Sequence, residues 1–361
     1  MLINLALLLA WSVSASGLML DEIKLPPGFK IEVFASEVPN ARQLALGPPG
    51  IVFAGSREAG AVYRLADSDA DFIADKTDVI QSGRYMPSGV AYRDGVLYVA
   101  EVHQISAIEK PLGGVDDLAA QVVYNELPKD SHHGWKAIDF GPDGNLYIPV
   151  GAPCNVCEVA PPYGTILKLD WQSKQAQVYA RGVRNSVGFA WHPTTRKLWF
   201  SDNGRDWMGD DIPGCEINRV DEPGQHFGFP YVHAAGIRDE GFQLPDGLKV
   251  AYPAKVLGAH VAPLGMLFYT GAQFPADYQN RLFVAQHGSW NRTKKSGYNI
   301  MMADIDEHGK LVTYETFASG WLKGQATWGR PVDIEMLPDG SLLVSDDFAG
   351  VIYRIHYEGM Q

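Results

Sequence analysis

The chain has 361 residues and a formal net charge of −12, a balance that argues against nucleic acid or an anionic membrane surface as partner. Hydrophobic residues at 46% and charged residues at 20% give ample material for a core. The 38 glycines and 23 prolines suit many short strands joined by turns, and argue against a mainly helical protein.

Residues 1–16, MLINLALLLAWSVSAS, are apolar from Leu2 to Trp11 and then small and polar. That length matches a signal peptide and falls short of a membrane span. A leader cleaved near Ala15 to Gly17 is therefore expected, a buried N-terminal strand being the alternative. No later apolar run approaches the ~20 residues of a spanning helix, so the expected location is periplasmic or secreted, with no stable membrane span.

Residues 22–358 read as one domain. The segment PPGFKIEVFASEV (26–38) alternates apolar and polar residues, as a half-buried strand does. A unit then recurs: apolar strand, Pro/Asp/Gly turn, second apolar strand, polar loop, third strand. Its copies are 43–65, 88–109, 136–170, 186–220, 264–305 and 332–357. Six copies at intervals of roughly 45 to 80 residues predict an all-β, six-bladed β-propeller. Each hairpin buries its faces only against neighbouring blades. The leftover strand KIEVFA is placed to complete the last blade and close the ring, and the insertion 221–261 to ride on the rim.

Three cysteines occur: Cys154, Cys157 and Cys215. The pair in CNVC suits a tight-loop disulfide in an exported protein, with two free thiols as the alternative. Glu158 stands where a haem-attachment motif requires His.

In a propeller the loops after each blade's first strand pair, and those before its first strand, converge on the axis. Here they bring Arg42, His132 and His133, Arg184 and Asn185, the acidic loop NGRDWMGDD, His260, HGSWNRTKK, Arg330 and the pair Asp346–Asp347. Histidines, clustered cations and an acidic loop suit a flat, multiply anionic ligand, with a metal and a base beside it.

The stretches RGVRNSVGFAWHP, DNGRDWMGDDIPGCEIN, HFGFPYVH, HVAPLGMLFY and HGSWNR carry a resemblance to the glucose/sorbosone dehydrogenase family of soluble quinoproteins. HGSWNR and PCNVCE place it nearer the sorbosone-dehydrogenase-like branch. The resemblance runs from about residue 26 to 357. It implies a propeller that carries pyrroloquinoline quinone (PQQ) and calcium, oxidises a sugar or sugar aldehyde, and passes electrons to an external acceptor. By motif, His133 matches the general base, with His132 as fallback. Arg184 and Asn185 match the pair that contacts the quinone, and Arg184 also steadies charge at the reacting carbonyl. Asn203, Arg205, Arg292, Lys294 and Arg330 match cofactor-binding positions. The calcium loop falls on Gly204 and Arg205, through their carbonyls, with Asp211 as a further metal residue and the side chains of Asp206, Asp210 and Asp211 as either ligands or loop holders.

One departure bears on mechanism. The glucose enzymes carry an Asp that orients the catalytic histidine, and here Ala152 occupies its place, so Asp130, Asp139 or Asn155 is expected to substitute. Two further functions fit the same scaffold: a calcium-dependent lactonase-type hydrolase, which needs acidic or amide side chains as direct metal ligands, and a non-catalytic binding propeller.

Overall fold

The computed structural model describes residues 17–114, 118–306 and 308–359; the expected signal peptide, 1–16, lies outside the described residues. Six four-stranded antiparallel sheets follow one another along the chain. Blade 1 is Ala41–Leu46, Ile51–Ser56, Val62–Ala66 and Lys76–Gln81. Blades 2 and 3 follow at 89–124 and 139–181, blade 4 at 189–259 and blade 5 at 263–319. Blade 6 takes Pro331–Met336, Leu342–Asp346 and Val351–Tyr357 from the C-terminal end, and its outer strand, Phe29–Ala35, from the N-terminal end. Phe29 pairs with Tyr357 and Ala35 with Ile352. The leftover strand thus closes the ring, as its position in the sequence predicted.

Local chemistry explains the hairpins. Arg93 pairs with Val96 across a two-residue turn, and Asp94 and Gly95 there both take positive φ, 52° and 84°, as such turns require. Packing between blades follows one repeated position on the second strands. Phe53 meets Tyr92 at 5.6 Å, Tyr98 meets Phe140 at 5.2 Å, Tyr147 meets Trp191 at 4.7 Å and Trp199 meets Phe268 at 6.0 Å. Each ring comes from one blade and lies against the inner strand of the next. Aromatic contacts of this kind add about 0.5–1.5 kcal/mol each beyond the area they bury.

Near the axis the inner strands approach closely. A Cβ on Gly188 would sit 2.0 Å from the Leu264 carbonyl oxygen of blade 5, so only glycine fits there. The insertion in blade 4 differs from expectation. Its segment Lys255–Ala259 returns to pair with Gly214–Arg219 as the blade's outer strand, so the insertion separates the third and fourth strands and does not follow the blade.

Where the inner strands end, a second axial cavity of about 310 Å³ is lined by Asp139, Asp333 and Glu335. Desolvation in this cavity, reinforced by neighbouring carboxyls, pushes Asp333 up to about 7 and Glu335 to about 8. The folded chain therefore holds protons there that the unfolded chain sheds nearer pH 4, and stability is expected to fall as pH rises from about 4 to about 8. Glu335→Gln should flatten that slope. Denaturant midpoints across the range test it, and an unchanged slope would contradict it.

Candidate active site

At the opposite end, where the inner strands begin, the loops enclose a cavity of about 430 Å³. Four arginines line it, Arg42, Arg57, Arg184 and Arg330, against one carboxylate, Asp206. Arg42, Arg57 and Arg184 each pair with a carboxylate, Asp347, Glu58 and Asp206 in turn, and Arg330 pairs with none among the described residues. In a chain of net charge −12 the lining still keeps a local excess of positive charge that favours anions. His132, His133, His260 and His287 complete the ionisable lining.

Arg184 and Asn185 are held from below by blade 4. The second strand, Leu198–Asp202, ends on a buried carboxylate that accepts the backbone N–H of Arg184 at 2.8 Å and of Asn185 at 2.6 Å. The Arg184 guanidinium donates to the Asn155 carbonyl and side-chain oxygens at 2.8 Å each, to the Asn203 carbonyl at 3.0 Å and to Asp206 at 3.1 Å. It is thereby a fixed charge. Asn185, also buried, lines the cavity with no hydrogen bond to its side-chain amide among the described residues. Its amide therefore faces the open cavity, available to a ligand there.

Across the cavity, Arg330 donates to the carbonyls of His287 (3.0 Å) and Gly288 (2.7 Å). Asp347 accepts from Arg42 at 2.9 Å and lies 2.7 Å from His287 Nε2. Against the opposing effect of burial, the hydrogen bond from His287 and the charge of Arg42 hold this carboxylate well below its usual range.

His133 stands with φ 50°, directly over Gly151, where an added Cβ would lie 2.6 Å from the His133 Cβ. Its Nδ1 is 2.9 Å from the Ala152 carbonyl oxygen. A carbonyl only accepts, so Nδ1 carries the proton and Nε2 keeps its lone pair. The Ala152 N–H in turn donates to the Arg184 carbonyl at 2.8 Å, so one residue ties the histidine to the arginine. Burial, then Arg184 and His132, push the His133 imidazole down to about 2. It is neutral at any ordinary pH.

The side chains expected to replace the missing carboxylate do not touch it. Asp130 accepts from Tyr163, Asp139 lines the opposite cavity, and Asn155 is engaged by Arg184 and by the Asp206 N–H. A backbone carbonyl orients the imidazole where a side chain was expected. Burial and the Arg184 charge keep the ring neutral, so it carries no charge for a carboxylate to compensate.

Of the residues singled out in the sequence, His133, Arg184, Asn185, Asn203, Gly204 and Arg330 line the cavity. Arg205, Arg292, Lys294 and Asp211 do not. Arg205 pairs with Asp239 of the insertion, which also meets His233 at 2.9 Å. Arg292 donates to the Asp210 carbonyl and the Asp211 carboxylate, both at 2.8 Å. These two aspartates therefore staple one loop to another. Arg57 and Cys215 line the cavity without having been singled out. Arg57 follows its blade's second strand, as Asn203, His287 and Asp347 follow theirs, and that shared register is the signal that identifies it. Cys154 and Cys157 form a disulfide and Cys215 is free and buried.

Comparison with known proteins agrees with this architecture. The family model described as Glucose / Sorbosone dehydrogenase matches residues 114–354. An uncharacterized protein of Borreliella burgdorferi is 37% identical over 352 residues, 93% of this chain and 91% of that one. The aldose sugar dehydrogenase YliI of Escherichia coli is 26% identical over 269 residues, 66% of each chain. In fold, the holo PQQ domain of pyranose dehydrogenase from Coprinopsis cinerea superposes with a TM-score of 0.76 at 15% identity, covering 92% of this chain and 97% of that one. With the family model spanning more than half its length and a relative above 30% identity along most of it, the chain belongs to the glucose/sorbosone dehydrogenase family.

Proposed function

We propose that the chain is an exported dehydrogenase that uses PQQ and calcium to oxidise a sugar or sugar aldehyde, with His133 as general base. The observation that carries this reading is the pairing, in one cavity, of four arginines with a neutral histidine whose Nε2 is free.

The residues present fit the cofactor. PQQ is planar and bears three carboxylates, and the lining offers four guanidinium groups against one acid. Arg330 has no hydrogen-bond partner at Nη1 among the described residues. The Asn185 side-chain amide, too, has no hydrogen-bond partner among the described residues. Arg184, Asn185, Asn203, Arg42 and Arg330 would hold the cofactor. The donors for calcium are oxygens, as that ion prefers: the Gly204 carbonyl, the Asn203 amide and Asp206. Arg205 contributes at most its carbonyl, and Asp211, Arg292 and Lys294 belong to the rim. When bound, PQQ supplies an electrophilic quinone carbon that takes up hydride, and calcium supplies a Lewis acid beside it.

His133 takes the substrate's hydroxyl proton at Nε2 as the C–H electrons leave, so an alcohol or hydrated aldehyde becomes a carbonyl product. The Ala152 carbonyl keeps Nδ1 protonated and the ring in place throughout. Arg184 is fixed beside it, so the imidazolium is disfavoured and passes its proton on. His132, with ring centroids 4.1 Å apart, is the adjacent exposed carrier. Arg184 also sets a positive charge where negative charge grows. The Cys154–Cys157 disulfide supports an oxidising compartment and so export.

A lactonase reading needs acidic or amide side chains as direct metal ligands. Asp206, Asn185, Asn203 and Asn291 line the cavity, but the arginines beside them favour an anionic cofactor over a bare metal site. Reconstitution with PQQ and calcium, followed by aldoses, tests the proposal. A quinone absorbance that is bleached by an aldose and restored by an added acceptor is expected. Lactone hydrolysis without cofactor uptake would contradict it.

A further inference from the structure

Two tryptophans at the cavity mouth are not explained by folding. Trp207 is 71% exposed and Trp290 66% exposed, although indole is the side chain with most to gain from burial. Trp290 also lines the catalytic cavity, so a residue two-thirds in solvent marks its entrance. The two rings lie 5.5 Å apart at 85° and form an open corner with one indole as floor and the other as wall.

The corner is rigid. Trp207 belongs to the loop after the second strand of blade 4, and Trp290 to the equivalent loop of blade 5. Asn291 donates to Asp206 at 2.6 Å, Arg292 bonds Asp210 and Asp211, and the Thr293 N–H donates to Asp210 at 3.1 Å. His260 Nε2 lies 2.8 Å from the Gly209 carbonyl. These staples hold Trp207 at φ 70°, a conformation that costs a non-glycine residue about 1–3 kcal/mol. Five polar contacts fix the loops that carry the two exposed indoles, so part of the ordering entropy for a ligand is already spent. The ligand must present a flat apolar face with polar edges. A pyranose ring does so, with its axial C–H groups on the face and its hydroxyls at the edge.

We propose that Trp207 and Trp290 form a stacking subsite for the second ring of an oligosaccharide whose reducing end enters the catalytic cavity. This rests on the sugar-dehydrogenase reading above. The reacting ring and the cofactor must share about 430 Å³, so any further ring lies outside, and Trp290 stands at the way out. The substrate class is therefore an aldose of two or more rings, preferred over the monosaccharide.

The test compares glucose with cellobiose and maltotriose as substrates of the reconstituted enzyme, in wild type, Trp207→Ala and Trp290→Ala. Both side chains are exposed, so the variants are expected to fold. Wild type should show higher kcat/KM on the longer sugars, and each variant should lower the oligosaccharide-to-glucose ratio about ten-fold, the size of one aromatic contact. An unchanged ratio, or a loss seen only in KM for the electron acceptor, would overturn the subsite. Intrinsic fluorescence of the cofactor-free protein gives a second readout: saturable quenching by cellobiose or maltotriose, lost in both variants, is expected. If no aldose is turned over by the wild type, the dehydrogenase reading fails, and the fluorescence titration then decides the subsite alone. Absence of quenching would overturn it.

Discussion

Replacement of His133 by alanine is expected to lower kcat on an aldose by about 100- to 10,000-fold, the usual contribution of a positioned base, while the cofactor still binds. His133 offers the cavity a neutral Nε2, and the charges expected to hold PQQ come from Arg42, Arg184 and Arg330. Quinone absorbance separates the two effects, since the loaded variant should show the oxidised spectrum and keep it when sugar is added. The imidazole is neutral down to about pH 2, so the wild-type kcat/KM profile should show no acid limb from this residue above about pH 4. Turnover in the alanine variant equal to wild type would move the role to His132. Gly151→Ala should reproduce part of the loss without touching the imidazole, because the new methyl group would overlap the His133 Cβ.

Asp202→Ala is expected to cost about 2–5 kcal/mol of stability and to weaken cofactor binding at least about ten-fold. The carboxylate is buried at the end of its strand and accepts the N–H groups of Arg184 and Asn185. Each donor left unpaired in that setting costs about 1–3 kcal/mol. The loss of binding follows because the same two residues would hold the cofactor from one side. Asp202→Asn keeps an acceptor oxygen and should fall between the two. Urea unfolding reads the first effect and a PQQ titration the second. A destabilised variant with unchanged affinity would show that Asp202 supports the blade and not the site.

Much of this fold is legible in the order of the residues alone. The recurring hairpins carry their aromatic at one position, Phe53, Tyr98, Tyr147, Trp199 and Phe283, because each blade must fill the same gap against the next. The strand KIEVFA has no partner within its own neighbourhood, and a ring needs one to close. His133, Arg184 and Asn185 are legible because they sit just before inner strands, which in this topology means facing the axis.

What was not legible has a common physical cause. The group orienting His133 is the carbonyl of Ala152, and a backbone oxygen leaves no trace in residue type. Charged side chains are ambiguous until their partners are known. Arg292 and Asp211 satisfy each other across two loops, and Arg205 is taken by Asp239 from the insertion, so motif position alone placed them in the site. The outer strand of blade 4 was hidden because the insertion lies between it and the strand it pairs with.

The most direct measurement is the electron density of crystals grown with PQQ and calcium. Planar density is expected in the axial cavity, with carboxylates toward Arg42, Arg184 or Arg330 and a cation beside Gly204 and Asp206. An empty axial cavity in crystals of protein that has taken up the cofactor, or density confined to another part of the molecule, would contradict it.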